Sequence, residues 1–358
     1  AMDRRHFLRL VGAAAGVTAL GGLASACGQS TAPAAAPTKA AASQAAPTAA
    51  PAAAKTGKKV ARVAYVHGAG GTSEKAANWF KQYVTDKTKG EWEVQVYPGG
   101  QLGGERDMVE SQQMGSIEIG WYGGYLIANL TPEYGGPIDC PYVMRDVEHF
   151  RKVVEGPLVK PAYDKMLKDK GIRHIAWTNR GPRYLTSNKP VTVPADLKGM
   201  KIRVPEIAAY VAAWKMLGAT VVPMAFPEVF MALKQGTIDA QENPLELAMN
   251  NSFYEVQKYL NETGHIYTGF QLTVSEKWYQ SLSPELQKTF TEGITEMCKL
   301  QDKYQAEDES VLAQKLREKG MTFNKVDKPK FQEALKELPK QFEGKWKSGL
   351  YEEILAVK

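Results

Sequence analysis

The first part of the chain alternates between short runs of strand character and longer runs of helical spacing, and this alternation limits the possible folds more than any other feature. Residues 59–66 are rich in β-branched and aromatic side chains, and similar patterns predict strands at 92–97 and 117–121. Between these runs, apolar spacing predicts a helix with Ser73 as its N-cap and another over 107–114. Regular strand–helix–strand alternation is typical of parallel sheets flanked by helices.

The same alternation starts again in the second half of the chain. The patterns predict strands at 172–177, 183–187, 201–205 and 221–223, and helices at 208–217 and 227–234. From residue 284 onward the sequence is strongly helical and charged. We therefore expect two α/β lobes followed by helices, an architecture that suits cleft-closing binding proteins and also many enzymes.

The composition is that of a globular protein, with 44% hydrophobic and 23% charged residues. The formal charge of +6, from 45 basic and 39 acidic side chains, is too slight for the basic stripe of a nucleic-acid-binding protein. The three cysteines are too few for a disulfide framework and include no C-x-x-C pair. We expect Cys140 and Cys298 to be buried thiols, although the sequence leaves open whether they form a bridge.

The first 27 residues have the pattern of an export signal. A basic segment at 4–9 (Arg-Arg-His-Phe-Leu-Arg) precedes an apolar run over 10–23, which is shorter than the about 20 residues of a membrane-spanning helix. Segment 4–9 resembles a twin-arginine signal, and 24–27 (Ala-Ser-Ala-Cys) resembles a lipobox. These resemblances imply export from the cytoplasm and lipidation of Cys27. Cleavage with release and an uncleaved anchor helix are the alternatives.

Residues 28–57 are predicted to form a flexible spacer. They are almost wholly Ala, Pro, Thr, Ser, Gln and Lys, and they include no aromatic or large aliphatic side chain that could build a core. Behind a lipidated Cys27, such a spacer would let a tethered domain swing at the membrane surface.

The chain lacks the standard motifs of catalysis. None of G-x-S-x-G, H-E-x-x-H and G-x-x-x-x-G-K-[ST] occurs. The histidines are scattered and none are spaced i, i+4, so we expect no metal and no cofactor: His6, His67, His149, His174 and His265. A glycine-rich segment at 67–73 predicts a tight turn at a cleft rim, where backbone N–H groups can meet a ligand. An enzyme with an unfamiliar site remains an alternative.

Several short segments share the order and spacing of a known family. The most telling is 197–205 (Leu-Lys-Gly-Met-Lys-Ile-Arg-Val-Pro), and the others are 97–103, 141–146, 183–190, 223–229 and 236–244. Together they resemble the DctP-like substrate-binding proteins of TRAP transporters (tripartite ATP-independent periplasmic transporters) over nearly all of the folded part; Met144 stands where Phe or Leu is usual. The resemblance implies a two-lobe, periplasmic-binding-protein-like α/β fold with a ligand cleft between the lobes. It also implies capture of a small organic acid, delivery to a membrane permease, and no catalysis.

The resemblance implies four ligand-binding residues. Arg203 matches the arginine that holds the ligand carboxylate, and Asn243 matches an asparagine that hydrogen-bonds the same group. Phe226 matches an aromatic residue that packs on the ligand, and Arg183 matches a second arginine found in several members. A guanidinium fits a carboxylate through two parallel hydrogen bonds, which a lysine cannot copy. The alternatives are a structural salt bridge for either arginine, a turn contact for Asn243 and core packing for Phe226.

We expect selectivity to come from the first lobe. Trp121, Tyr122 and Trp177 are predicted to form an apolar wall suited to an aromatic or aliphatic acid, or else to be plain core. By resemblance, Gly123 stands where sialic-acid binders carry an acidic residue, which argues against sialic acid. The related 2-oxo-acid binders with a metal differ around Asn243, which again predicts no metal.

The predicted division of the chain assigns 1–27 to the export signal, 28–57 to the linker, 58–179 and 269–300 to lobe I, 180–268 to lobe II, and 301–358 to helices that brace both lobes. The implied partners are a carboxylate ligand, the membrane subunits of a permease, and the membrane through a lipid on Cys27; nucleic acid is not expected. The main alternative is a sensor whose loaded form docks on a membrane receptor.

Overall fold

A computed structural model describes residues 57–358. The predicted export signal, Cys27 and nearly all of the predicted linker therefore lie outside the described residues. Among residues 57–358, no helix combines the length and the apolar character needed to span a membrane.

The described residues alternate between strands and helices through most of their length. The strands are β1 Lys59–Tyr65, β2 Trp92–Tyr97, β3 Ile119–Tyr122, β4 Ile172–Pro182, β5 Tyr184–Ser187, β6 Lys201–Val204, β7 Thr220–Pro223, β8 Ala240–Asn243, β9 Tyr259–Asn261, β10 Tyr267–Ser275 and β11 Thr322–Asn324. The helices are α1 Thr72–Lys87, α2 Glu105–Met114, α3 Tyr125–Leu130, α4 Pro132–Ile138, α5 Val147–Val154, α6 Lys160–Lys170, α7 Ala208–Met216, α8 Val229–Lys234, α9 Leu245–Asn250, α10 Glu276–Gln280, α11 Pro284–Glu318, α12 Lys328–Leu335 and α13 Leu350–Ala356.

Two separate mixed sheets organise these elements into two lobes. The sheet of lobe I has five strands in the order β2-β1-β3-β10-β4, and the sheet of lobe II has six in the order β11-β9-β5-β8-β6-β7. β1, β2 and β3 are parallel, as are β6, β7 and β8, and these are the strands joined by helices. The α/β alternation thus predicted the parallel strands correctly except for β8, because a helical crossover returns the chain in the same direction.

Three segments pass between the lobes. β4 of lobe I leads directly into β5 of lobe II, and β9 leads back into β10; β10 and β5 are antiparallel to their neighbours because the chain arrives without a helical crossover. The third segment is α11, whose 35 residues extend about 52 Å at 1.5 Å each. It contacts α1 and β4 on one side and α9 on the other. The predicted boundaries at 179, 268 and 300 fall inside these continuous elements, so the exact division stays a prediction.

Apolar side chains fill both faces of the lobe I sheet. One cluster packs Phe80, Trp121, Leu272 and Phe290 between the sheet, α1 and α11. A second cluster covers the opposite face and continues into lobe II, and a third lies in lobe II around Phe253. The sheet of lobe I is therefore covered on both sides, and its ligand contacts can arise only at the strand ends.

The first helix begins differently from the expectation. α1 starts at Thr72 with Gly71 as its N-cap, so the prediction of Ser73 as the N-cap was wrong. Ser73 lies inside the first turn and is buried. Gly71 brings no side chain to the helix start, and this allows another part of the chain to approach it closely.

Candidate functional site

A cavity lies between the two lobes at the carboxyl ends of their strands. Its wall consists of residues that directly follow β1 and β3 in lobe I and of residues at the ends of β6 and β8 in lobe II. This is the usual ligand position in open α/β sheets. Its volume is about 40 Å³, and an adjoining cavity of about 210 Å³ shares part of its wall. The lining residues are Val66, Glu105, Gly123, Gly124, Tyr125, Arg183, Arg203, Pro205, Ile207, Tyr210, Phe226, Asn243, Leu247 and Phe270.

Four of the seven predicted ligand-binding residues meet at this cavity: Arg183, Arg203, Phe226 and Asn243. Strand register brings them together. β6 and β8 run parallel with Arg203 opposite Gln241, and β5 and β8 run antiparallel with Tyr184 opposite Asn243. The ends of β6 and β8 and the start of β5 therefore lie at one edge of the lobe II sheet.

Arg203 is a buried cation that lacks an acidic partner. Its side chain donates from Nε and Nη2 to the carbonyl oxygen of Met224 at 2.9 and 2.6 Å. Within residues 57–358, no carboxylate oxygen lies within 4.0 Å of its guanidinium nitrogens. Burial lowers its pKa to about 10, an effect that the more distant Glu242 only partly offsets. A guanidinium carries five N–H donors, so three remain for a ligand.

Arg183, unlike Arg203, has an acidic partner inside the protein. It donates to Glu242 from Nε at 2.6 Å and from Nη2 at 2.8 Å, and Nη2 also donates to Oδ1 of Asn243 at 3.0 Å. His265 contacts the same carboxylate at 2.9 Å and Thr263 Oγ1 at 2.8 Å. Burial would raise the pKa of Glu242, but the charge of Arg183 and the hydrogen bond from His265 outweigh it and lower the pKa to about 2. Arg183 therefore forms the salt bridge that the sequence left open as an alternative.

Asn243 is held in place from two sides. Its Oδ1 accepts from Arg183, and its Nδ2 donates to Oε1 of Gln241 at 2.5 Å. An amide nitrogen carries two hydrogens, so one donor of Asn243 stays available at the cavity wall. The buried pairs behind Asn243 fix the direction of that donor.

Phe226 lies where the cores of both lobes meet. Its half-buried ring packs against all three apolar clusters, and its centroid lies 5.6 Å from the guanidinium carbon of Arg203. This placement combines both readings of the sequence, because one ring contributes to the core and to the cavity wall.

The structure does not bring Trp121, Tyr122 and Trp177 to the cavity. Trp121 and Tyr122 are successive residues of β3, and both are wholly buried on opposite faces of the sheet. Trp177 lies in β4, where its Nε1 donates to the hydroxyl of Tyr163 at 2.7 Å. It lines a different cavity of about 650 Å³ beside α11. Their placement corresponds to the alternative of core packing, and they form no wall around the site.

Glu105 is a wall residue that the sequence did not single out. It starts α2, two residues beyond the glycine-rich segment at 97–103, and its Oε1 accepts from the backbone N–H of Gly123 at 2.6 Å. Burial raises its pKa, while the hydrogen bond from Gly123 and the charges of Arg203 and Arg183 act against this. The site therefore holds a carboxylate on the lobe I side and guanidinium groups on the lobe II side.

Asp139 is a second acidic group that sequence patterns missed. It is 4% exposed, and its Oδ2 has no hydrogen-bond partner among the described residues. A Cβ placed on Gly124, a cavity-lining residue, would lie 2.7 Å from Oδ1 of Asp139. Burial raises the pKa of Asp139 to about 7, although Arg183 lowers it. The carboxyl group thus lies directly behind the cavity wall.

No metal centre is built into the described residues. Across 57–358, no three His, Cys, Asp or Glu side chains are grouped so that they could hold a metal ion. In the same range Cys140 and Cys298 are buried free thiols. The expectation that the site uses neither metal nor cofactor stays a prediction.

Comparison with known proteins decides the family. The family model for bacterial extracellular solute-binding protein, family 7 (DctP) matches residues 63–345. The chain belongs to this family. The resemblance to the DctP-like substrate-binding proteins of TRAP transporters is thereby confirmed, and with it the extracytoplasmic, transport-related and non-enzymatic character of the protein.

Individual DctP relatives agree in sequence and in fold. The 2,3-diketo-L-gulonate-binding periplasmic protein YiaO of Escherichia coli is 33% identical over 262 residues, which are 73% of this chain and 79% of that protein. A TRAP solute-binding protein of Roseobacter denitrificans with bound L-galactonate superimposes with a TM-score of 0.78 at 31% identity, covering 84% and 98% of the two chains. One of Polaromonas bound to D-erythronate gives 0.79 at 32%, covering 84% and 99%. The two-lobe α/β fold predicted from the sequence is confirmed.

Proposed function

We propose that this DctP-family protein captures a hydroxylated monocarboxylate, a sugar acid, between its lobes and delivers it to the membrane subunits of a TRAP permease. The proposal rests on the environment of Arg203. This side chain is a buried cation in the cleft, with three uncommitted N–H donors and no acidic partner in the described residues. An isolated buried charge is costly, and an anionic ligand compensates it.

Asn243 and Phe226 complete the carboxylate end of the proposed site. The remaining Nδ2 hydrogen of Asn243 supplies a further donor at the same edge of the sheet, and the ring of Phe226 covers the guanidinium of Arg203. Arg183 acts through its neighbours by its Nε and Nη2 groups, which donate to Glu242 and Asn243. It orients Asn243 and adds positive potential.

The opposite wall suits hydroxyl groups. Glu105 lies there with acceptor lone pairs, and a carboxylate would repel a second acid group but accept hydrogen bonds from hydroxyls. The ligands of the relatives, L-galactonate, D-erythronate and 2,3-diketo-L-gulonate, are acids that also carry hydroxyl groups. A sugar acid therefore fits better than the aromatic or aliphatic acid suggested by the aromatic residues of β3 and β4.

Ligand entry requires the cleft to widen. One water molecule needs about 10–15 Å³ of cavity volume, so the 40 Å³ between the lobes hold about three waters. A sugar acid has many more non-hydrogen atoms than that, so it would also extend into the adjoining cavity of about 210 Å³. Because the carboxylate end at Arg203 is this narrow and lies between two lobes, we infer that the lobes separate to admit the ligand and close around it.

Binding is tested first by native mass spectrometry of the purified protein, followed by a thermal-shift screen of sugar acids, aliphatic acids and neutral sugars. Stabilisation by sugar acids and not by the matched neutral sugars supports the proposal. Stabilisation by neutral sugars to the same extent contradicts the role of Arg203. Delivery is tested by uptake of the labelled acid into proteoliposomes that contain the TRAP membrane subunits, with and without this protein.

A further inference from the structure

Another buried acid, Glu246, joins α9 of lobe II to the start of α1 in lobe I. Its Oε1 accepts from the backbone N–H of Thr72 at 2.8 Å and from the hydroxyl of Thr72 at 2.7 Å. The side chain of Gln301 in α11 also donates to that hydroxyl at 3.1 Å. A carboxylate at a helix start is favoured by the free N–H groups and by the helix dipole.

The glycine-rich turn makes this contact possible. A Cβ placed on Gly71 would lie 2.5 Å from Oε1 of Glu246, and one on Gly68 would lie 2.7 Å from the carbonyl oxygen of Asn250. The contact at Gly68 is with backbone, so a side chain there would push α9 away, and a side chain at Gly71 would force the carboxylate of Glu246 to move from the start of α1. The turn expected to meet a ligand at the cleft rim instead receives a side chain of lobe II.

Arg180 holds the other oxygen of the same carboxylate. Its Nη1 donates to Oε2 of Glu246, and its guanidinium carbon lies 4.2 Å above the ring of Phe270, a cavity-lining residue. The side chain is fully buried, and its Nε and Nη2 have no partner among the described residues. Loss of Glu246 would therefore leave a buried cation wholly uncompensated.

α9 connects this cluster to the ligand site. The helix follows Asn243 after a single proline, so a change at the carboxylate end of the site reaches Glu246 within three residues. Leu247 lines the cavity and packs in the core of lobe I, while Leu245 and Ala248 pack in the core of lobe II. One short helix thus carries a cavity-lining residue and contacts to the cores of both lobes.

We propose that Glu246, together with Arg180 and Thr72, is a positioning residue that latches the cleft in its closed, ligand-holding form. Separation of the lobes would pull the carboxylate from the start of α1, and closure would restore three hydrogen bonds in a water-free environment. The proposal rests on the proposed closure of the cleft around a sugar acid. Its consequence is specific: the latch slows ligand release and leaves ligand capture unaffected.

The test is Glu246→Gln, which keeps the size of the side chain and removes its charge. With L-galactonate, D-erythronate and 2,3-diketo-L-gulonate as probes, we expect the dissociation rate of the best-bound acid to rise at least tenfold while the association rate stays within twofold. Thr72→Val should raise it less, about threefold, and remains informative if Glu246→Gln fails to fold. Thr72→Ser is the matched control, because it keeps the hydroxyl, and should behave like wild type.

Melting temperatures separate a latch from a purely structural role. A latch variant keeps most of the ligand-free melting temperature and loses part of the increase that the ligand produces. Equal loss in the free and bound forms, with unchanged dissociation rates, overturns the latch and leaves the proposed function intact. A wild-type protein that binds no sugar acid of the thermal-shift screen overturns both.

Discussion

Replacement of Arg203 by alanine is the most direct test of the site. Arg203 has three N–H donors that are not used by Met224, and a bound carboxylate can take two of them. A hydrogen bond to a charged group contributes about 1.5–3 kcal/mol, so two contribute about 3–6 kcal/mol. At 1.4 kcal/mol per factor of ten, Arg203→Ala should weaken binding by about 10²- to 10⁴-fold.

The fold should survive this change. Burial lowers the pKa of Arg203 to about 10, which means that its charge is held at a cost in the empty protein. We therefore expect little change in the ligand-free melting temperature. Calorimetric titration with the best acid from the thermal-shift screen measures the affinity, and circular dichroism checks the fold.

Two further variants sharpen the result. Arg203→Lys keeps the charge without the paired donors, so it should bind more weakly than wild type but more tightly than Arg203→Ala. Arg173→Ala is the matched control, because it removes an arginine that pairs with Glu276 on lobe I. An unchanged affinity in Arg203→Ala, or an equal loss in Arg173→Ala, would refute the role assigned to Arg203.

Three other changes have defined outcomes. The pKa of Asp139 is raised to about 7, so its ionisation costs stability as pH rises from about 4 to 7. Asp139→Asn should therefore raise the melting temperature at pH 8 and change it little at pH 4. An equal effect at both pH values would contradict this. The pKa of Glu242 is lowered to about 2, so its contribution is present above pH 4.5 and lost as pH falls towards 2. Glu242→Gln should therefore be less stable than wild type at pH 7, and thermal scans should show the deficit shrinking below pH 4.5; a constant deficit would argue against the charge. Cys27→Ala should move the protein from the membrane fraction to the soluble fraction, whereas the control Cys140→Ala should not. A Cys27→Ala protein that stays in the membrane fraction would exclude a lipid anchor at this position.

The sequence carried enough information for the parallel parts of both sheets and for the cation in the cleft. Arg203 lies in a short apolar strand closed by a proline, and a buried guanidinium in such a strand needs an anion. The family resemblance of the segments around Asn243 and Phe226 then predicted that these residues contact the same ligand. All three line one cavity because their strands end at the same edge of the sheet.

The faces of strands could not be predicted in the same way. Alternation along β3 separates Trp121 from Tyr122 but does not show that both faces of this sheet are covered by other elements. Contacts between distant segments left no local pattern either. Glu246 and Thr72 are 174 positions apart, and the sequence around either residue does not indicate that the two are in contact. The same holds for Asp139, whose raised pKa depends on its burial in the folded protein.

The position of β10 has a consequence for how the protein is made. β10 pairs with β3 on one side and with β4 on the other, yet it is synthesised after the whole sheet-forming part of lobe II except β11. At about 5–20 residues per second, roughly 8 to 30 s pass between the end of β3 and the end of β10. During that time the edge of β3 has no partner strand, and exposed edges are prone to pair wrongly. The emerging chain therefore cannot complete the sheet of lobe I until residue 275 has been synthesised.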